Sequence, residues 1–224
     1  PFMQFSISGM INMNMFGISL VGADVWGFHK PWEQELCGRW MQLSAFYPFA
    51  RNHYNLTNEG RELLPPQEPY LLKEPYLTAA RNAIHQRYSL LRYYYTILFE
   101  IAKFGGGTMV RPLFFEFPDD DGVYQGYEQT FMVGKHIKVS PVLQPDSENK
   151  GKVYSYFPKG IRFISLNYLH KITMGEGRNE TLDASWNYTN AHLREGSIIP
   201  YQNTTANPVK RTDFLISDRE ISLL

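Results

Sequence analysis

The sequence predicts an α/β half followed by an all-β half. Two observations carry that expectation. Up to residue 109, helix-like and strand-like stretches alternate, the order of a parallel sheet with helices packed on it. From Val110 onward, short β-like runs are separated by turn-rich segments, the pattern of an antiparallel sandwich. The 224 residues suffice for one large domain or roughly one and a half ordinary ones.

Residues 2 to 16 mix Phe, Met and Ile with Ser and Asn. Phe2, Phe5, Ile11 and Met15 are spaced to share one helical face, and Gly17 ends the helix. The apolar run Ile18 to Val21, bounded by Gly17 and Gly22, reads as a buried strand. Pro31 and Trp32 break the chain. Glu33 and Glu35 then fall in the first turn of a second helix, where carboxylates complement the macrodipole. Leu36, Trp40 and Leu43 form its apolar stripe. A second apolar segment starts at Phe46 and ends in Arg51, Asn52 and His53. Residues 54 to 74 are polar and contain proline, which reads as a long loop. Ile84, Tyr88, Leu91, Tyr95, Leu98 and Ala102 follow a four-three-four-three-four spacing, a long helix stopped by Gly105-Gly106-Gly107. No Lys-Ser/Thr follows those glycines, so they read as a terminator and not as a phosphate loop.

In the second half, Val110 to Phe117, Thr130 to Leu143, Val153 to Phe157, Ile161 to Leu166 and His192 to Tyr201 read as β runs. From Asn203 the chain is polar again, and Thr212 to Ser217 reads as the start of a further strand. The expected units are residues 1–109, 110–202 and an incomplete 203–224.

Composition removes several function classes. The 22 basic and 22 acidic residues cancel, which argues against a nucleic-acid surface. No apolar run approaches the roughly 18 residues of a spanning helix. The single cysteine, Cys37, excludes a disulfide within the chain. The histidines lack HxH and HExxH spacing, so no zinc site is expected. The run Asp119 to Asp121 lacks the spacing and distal glutamate of a calcium loop and reads as a solvated turn. The 15 Tyr, 15 Phe and 4 Trp suit a carbohydrate site and a large apolar core equally well. Asn55, Asn179, Asn187 and Asn203 each begin a glycosylation sequon, and four of them point to the secretory pathway.

Asp24 stands just past the first expected strand. A carboxylate is costly to bury there without a partner, and barrel enzymes keep their polar working groups at that end of a strand. An Asp that caps the next helix or bonds its own turn fits the residues equally well.

Several motifs occur together and in order: Gly22-Ala-Asp-Val-Trp-Gly-Phe28, Glu35-Leu-Cys-Gly-Arg-Trp40, Phe46-Tyr-Pro-Phe-Ala-Arg-Asn-His53, Pro66-Gln-Glu-Pro-Tyr70 and Arg111-Pro-Leu-Phe-Phe-Glu-Phe-Pro118. Gly134 to Leu143, Tyr156-Phe-Pro-Lys-Gly160 and His192-Leu-Arg-Glu-Gly-Ser-Ile-Ile-Pro200 continue the pattern. Together they resemble glycoside hydrolase family 31, in particular its eukaryotic α-glucosidases, over nearly the whole chain.

The resemblance implies the last strands and helices of a (β/α)8 TIM barrel, then an antiparallel β-sandwich and the start of a distal β unit. It implies a retaining α-glucosidase acting on maltose-like or glycogen-like substrates, with no cofactor and no metal. Such hydrolysis needs two carboxyl groups about 5 Å apart. In the family both are aspartates on earlier barrel strands, so nucleophile and general acid are expected upstream of Pro1, in an N-terminal remainder of the same polypeptide. By the same resemblance Asp24 and His53 contact the sugar in the cleavage subsite, Arg51 orients pocket carboxylates, and Phe28 lines the pocket wall. Taken alone, His53 reads as a satisfied loop histidine and Arg51 as a structural ion pair. The implied location is lysosomal, extracellular or membrane-anchored through a segment outside this chain.

One departure stands out. Animal relatives commonly carry cysteine where Trp26 stands, paired with the residue matching Cys37. Here Cys37 is expected as a reduced, buried thiol. The alternative to an enzyme is a non-catalytic carbohydrate-binding or subunit-type relative that docks on a separate N-terminal part. On either reading the isolated chain is expected to be inactive and poorly soluble, because open sheet edges and apolar faces are exposed.

Overall fold

The computed structural model describes residues 2–26, 28, 33–53, 57–58, 62–63, 65–126, 129–204 and 222–224. Helix α1 (Phe2–Met15) leads into an extended segment and then α2 (Gln34–Ser44). A small antiparallel hairpin, β1 (Thr57–Asn58) and β2 (Glu62–Leu63), lies within the expected loop and precedes the 28-residue helix α3 (Tyr76–Lys103). The β half comprises β3 (Val110–Arg111), β4 (Phe131–Val133), β5 (Ile137–Ser140), the single turn α4 (Asp146–Asn149), β6 (Lys152–Phe157), β7 (Arg162–Ser165), β8 (Ile172–Met174), β9 (Arg178–Asp183), β10 (Asn190–Arg194), β11 (Pro200–Tyr201) and β12 (Ser222–Leu223). The expected chain break at Pro31 and Trp32 and the expected strand at Thr212 to Ser217 lie outside the described residues.

α1 spans the expected residues but turns a different face inward. Met3, Ile7, Met10, Ile11 and Asn14 are buried, while Phe2, Phe5 and Met15 are exposed. A polar residue fixes that rotation. Asn14 Oδ1 accepts from the backbone N of Met109 (2.7 Å) and Val110 (3.1 Å), and Nδ2 donates to Met10 O (2.9 Å). In α2, Trp40 and Leu43 are buried as expected, and Leu36 is exposed.

Ile18 to Val21 does not form the expected buried strand. Ile18 and Leu20 are 52% and 57% exposed. The neighbouring backbone reaches this stretch through one bond, Phe49 N to Val21 O at 3.2 Å, and a parallel strand needs a repeating ladder.

α3 ends where three glycines at φ 77°, 145° and 130° take the chain away from it. Phe104 N bonds Glu100 O (2.9 Å) and Gly106 N bonds Ile101 O (3.0 Å), satisfying terminal carbonyls. Its buried positions are Ala79, Ala80, Ala83, Ser89, Leu90, Tyr93, Tyr94 and Ile97. The expected stripe lies beside them: Ile84, Leu91 and Leu98 are partly buried and Tyr95 is exposed. Small residues at Ala79, Ala80 and Ala83, with Tyr93 reaching Val133 O of the sheet (2.8 Å) and Tyr94 reaching Ala45 O at the end of α2 (2.8 Å), place the contact off the line of largest side chains.

The β half is a sandwich. One sheet has six strands in the order β3-β4-β5-β10-β7-β8, all antiparallel, and faces the two-stranded sheet β6-β9. Val110 to Phe117 is a strand only at Val110 and Arg111. Pro112 ends it, and a 3-10 turn over Leu113–Phe115 follows. The sequence reading missed β8 and β9, which are largely exposed. Both faces of the six-stranded sheet are covered. Phe131, Val133, Ile137, Val139, Ala191 and Leu193 pack with Ile7, Leu43, Tyr93 and Ile97 of the helices. Met132 and Phe163 pack with Phe157, Leu113, Phe117 and Val123.

Polar groups join the halves. The buried Arg39 of α2 donates to Asp146 Oδ1 (2.8 Å), Ala184 O (3.0 Å), Ser185 O (3.0 Å) and Gln42 Oε1 (2.9 Å). Its guanidinium lies 3.5 Å from the Trp186 ring centroid. Gln42 Nε2 reaches Ser185 O at 2.9 Å, and Thr189 Oγ1 donates to Gln42 O at 3.0 Å.

Inside the sandwich, Lys138 is fully buried without a carboxylate partner. Its Nζ donates to Ser155 Oγ (2.6 Å) and Ser140 Oγ (2.8 Å) and lies 3.9 Å from the Phe157 ring centroid. Burial lowers its pKa well below the ordinary lysine value. His192, opposite Lys138 in the β5–β10 register, is lowered to about 3 by burial and then by the Lys138 charge.

Candidate functional site

Two neighbouring backbone segments build the site. Val25 and Asn52 form a parallel bridge, and Val25 N donates to Arg51 O at 3.0 Å. Gly22 permits the approach, because a Cβ at this position would lie 1.8 Å from the Phe49 carbonyl oxygen. The two apolar segments therefore deliver their polar ends to one place.

Arg51 Nε and Nη2 both donate to Oδ1 of Asp24, each at 3.0 Å. Among the described residues, Asp24 Oδ2 accepts no hydrogen bond. The side chains of Asp24 and Arg51 are 32% and 51% exposed, so the pair adds little to stability. Its effect is orientation: one carboxylate oxygen is fixed and the other remains open to a donor. Phe28 and His53 form a second contact, with ring centroids 5.4 Å apart and planes tilted by 36°. All four residues named from the sequence thus fall into two touching pairs on adjoining segments.

Trp26 turns the chain after Val25. It is buried at φ 92°, and holding a non-glycine residue there costs about 1–3 kcal/mol. Packing of the indole in the main core offsets that cost. Cys37 is a free, fully buried thiol. Burial, and then the Glu33 charge, raises its pKa.

Residues unmarked in the sequence support the second segment. Arg87 of α3 donates to the carbonyls of Ser44 (3.4 Å), Ala45 (3.3 Å), Tyr47 and Pro48 (2.9 Å). Tyr94 Oη donates to Ala45 O at 2.8 Å. These bonds satisfy the carbonyl end of α2 and fix the turn from which residues 49 to 53 depart. The available sequence signal was an arginine between the apolar positions Ala83 and Leu90. Asn52 Nδ2 ties the tip to Gln67 O at 2.6 Å. A cavity of about 420 Å³ between α2 and α3 reaches Arg51, Asn52 and Arg87, but Asp24, Phe28 and His53 lie outside its wall.

Among the described residues, no three His, Cys, Asp or Glu side chains converge as metal ligands. None of the described helices is long and apolar enough to cross a membrane. Asn179 on β9, Asn187 and Asn203 are exposed, while Asn55 lies outside the described residues. Asp120 of the acidic turn is a structural pin: it accepts from Gly122 N (3.1 Å), Tyr156 Oη (2.5 Å) and Lys159 N (2.9 Å).

Comparison with known families matches residues 1–97 to the glycosyl hydrolases family 31 TIM-barrel domain and residues 106–199 to the glycosyl hydrolase family 31 C-terminal domain. The chain belongs to glycosyl hydrolase family 31. Its fold is therefore a portion of the family 31 TIM barrel followed by the family's C-terminal domain. Among family 31 relatives, the alpha-glucosidase of Hordeum vulgare is 36% identical over 214 residues, covering 95% of this chain and 23% of that protein. The lysosomal alpha-glucosidase of Mus musculus is 38% identical over 216 residues, covering 89% and 22%. A crystal structure of glucosidase II alpha subunit, Glc1Man2-bound, superposes with a TM-score of 0.81 at 26% identity, covering 96% of this chain and 22% of that one. The chain thus spans under a quarter of the length of these relatives.

Proposed function

We propose that this chain forms the sugar-holding side of an α-glucosidase pocket. The observation that carries this reading is the Arg51 fork on one oxygen of Asp24, beside the Phe28–His53 contact. Asp24 Oδ2 accepts a hydrogen bond from a glucose hydroxyl, and the Arg51 fork holds the carboxylate oriented for it. His53 hydrogen-bonds a second hydroxyl, and the Phe28 ring closes the wall against sugar C–H groups. The nucleophile and general acid of the retaining mechanism come from earlier barrel strands of the longer protein, about 5 Å apart across the same sugar. Nothing in that chemistry requires a cofactor.

Residues 1–109 then serve as the closing part of the barrel, 110–202 as the proximal sandwich and 203–224 as the start of a distal β unit. The substrate is a terminal α-glucoside of the maltose or glycogen kind. The exposed sequons Asn179, Asn187 and Asn203, together with the lysosomal assignment carried in the name of the mouse relative, support a secretory-pathway protein bearing N-glycans.

Kinetics of Asp24→Ala in the full-length protein test the reading. Loss of a hydrogen bond to a charged group costs about 1.5–3 kcal/mol, so kcat/KM falls roughly tenfold to 200-fold. Unchanged kcat/KM refutes the pocket. A panel of maltose, isomaltose, sucrose, glycogen and an α-xyloside then fixes the substrate.

A further inference from the structure

A second groove lies between α3 and the sandwich, remote in sequence from Asp24 and His53. It has a volume of about 220 Å³ and a floor that includes the buried Ser89 and Leu90. Its walls carry Asn82, His85 and Gln86 from one face of α3, and Asn167, Asn187 and Tyr188 from sandwich loops. Among the described residues, no Asp, Glu, Lys or Arg side chain lines it. A charged ligand would find no counter-ion of fixed charge there. Amides offer a donor and an acceptor on one plane, the match for the neighbouring hydroxyls of a sugar.

The walls are preorganised. Asn167 Nδ2 donates to Thr189 O (2.8 Å), Gln86 Nε2 to Asn167 Oδ1 (3.4 Å) and Asn82 Nδ2 to Asn187 O (2.9 Å). These bonds turn each amide while leaving acceptor capacity on Asn82 and Gln86. The Tyr188 ring is held edge-on by Tyr168, with centroids 5.4 Å apart and planes at 89°. Rigid aromatic rings beside oriented amides make a surface for the C–H and O–H groups of one pyranose.

We propose that this groove is a second sugar-binding site, which holds one neutral hexopyranose unit. Two sources offer that chemistry: a free glucan chain, or the first sugar of a glycan carried on Asn187, whose exposed side chain stands in the wall. The site stands on its own lining and does not depend on the role given to Asp24.

The test uses the full-length protein with its catalytic pocket saturated by an iminosugar inhibitor. Mass spectrometry first reports whether Asn187 carries a glycan. If it is bare, titration with maltotriose gives a residual millimolar site, and the double variant Gln86→Ala, Tyr188→Ala weakens it at least tenfold. The single variant Gln86→Ala, which removes only one 3.4 Å bond, weakens it several-fold and keeps the wild-type melting temperature. If Asn187 is glycosylated, its glycan is released by endoglycosidase at least tenfold more slowly than the glycan on Asn179, and Asn187→Gln opens the maltotriose site. A bare Asn187 with no residual binding overturns the proposal. So does a glycan on Asn187 released as fast as that on Asn179, with no binding in Asn187→Gln.

Discussion

The two halves of the chain solve the burial problem differently. The sandwich half closes on itself, with one core between its sheets and its other sheet face covered by helices. Among the described residues, the barrel half has a single parallel bridge between its two strand-like segments, and it takes its order from the sandwich face on which it packs. It also leaves large apolar side chains outside: Phe2 is 80% exposed, Phe16 82% and Phe104 78%. The half that carries Asp24 and His53 is therefore positioned by the half that does not. Arg39, Gln42 and Asn14 act as buried polar dowels between them.

Arg39→Ala in the full-length protein is the strongest way to break that dependence. The substitution removes a charged bond to Asp146, whose side chain is 42% exposed, and leaves two sandwich carbonyls without their donor, a loss of about 1.5–3 kcal/mol. Urea unfolding is expected to lose that amount, and kcat/KM is expected to fall although Arg39 touches no site residue. A variant of wild-type stability would mean that the halves are held by apolar packing alone.

Acid tests the sandwich half separately. His192 has a folded-state pKa of about 3 against an ordinary value near 6.5, so the unfolded state binds the extra proton between those values. The His192 contribution is fully present above about pH 6.5 and is lost as pH falls through that window, by about 2–3 kcal/mol at roughly pH 4.5. Lys138 acts in the same direction at higher pH. Its folded pKa is lowered, so stability still rises towards about pH 10 as the unfolded lysine loses its proton. His192→Leu is expected to flatten the acid limb and Lys138→Met the alkaline one. Limbs that persist in both variants would place the titration elsewhere.

Gly22→Ala sharpens the comparison from the barrel side. The added methyl meets the Phe49 carbonyl and separates the segments. The expected cost is about 1–3 kcal/mol, an overpacking penalty, with a larger proportional loss in kcat/KM than in stability. Equal losses would mean that the approach serves packing only. The smallest effect is at Cys37, where thiol labelling of the folded protein is expected to require denaturant, because burial both hides the thiol and disfavours the thiolate. Rapid labelling would show that the helix α2 face is open.

What the sequence disclosed follows from where each signal arises. The motifs around Asp24 and Arg51 lie on neighbouring segments whose close approach needs Gly22, so short-range residues report that these two side chains meet. The termination of α3 was equally legible, because three glycines leave few alternatives. Rotation of the helices was not. Asn14 and Arg39 are polar residues placed inside, where their bonds go to backbone groups far along the chain, and no local period reports such a partner. β9, Arg-Asn-Glu-Thr-Leu-Asp, carries little hydrophobic alternation and owes its extended form to a six-residue ladder with β6. Ile18 to Val21 has a strand's composition, but among the described residues its backbone bonds are Ile18 N to Met13 O and Phe49 N to Val21 O, not a ladder, and composition does not supply a neighbour.

The most direct measurement is a crystal structure of the full-length protein with a terminal α-glucoside bound. The expected result places Asp24 Oδ2 and a ring nitrogen of His53 within about 3.2 Å of two hydroxyls on the same sugar, with the Arg51 fork still on Oδ1. A sugar bound in the catalytic pocket that touches neither side chain would contradict the assignment.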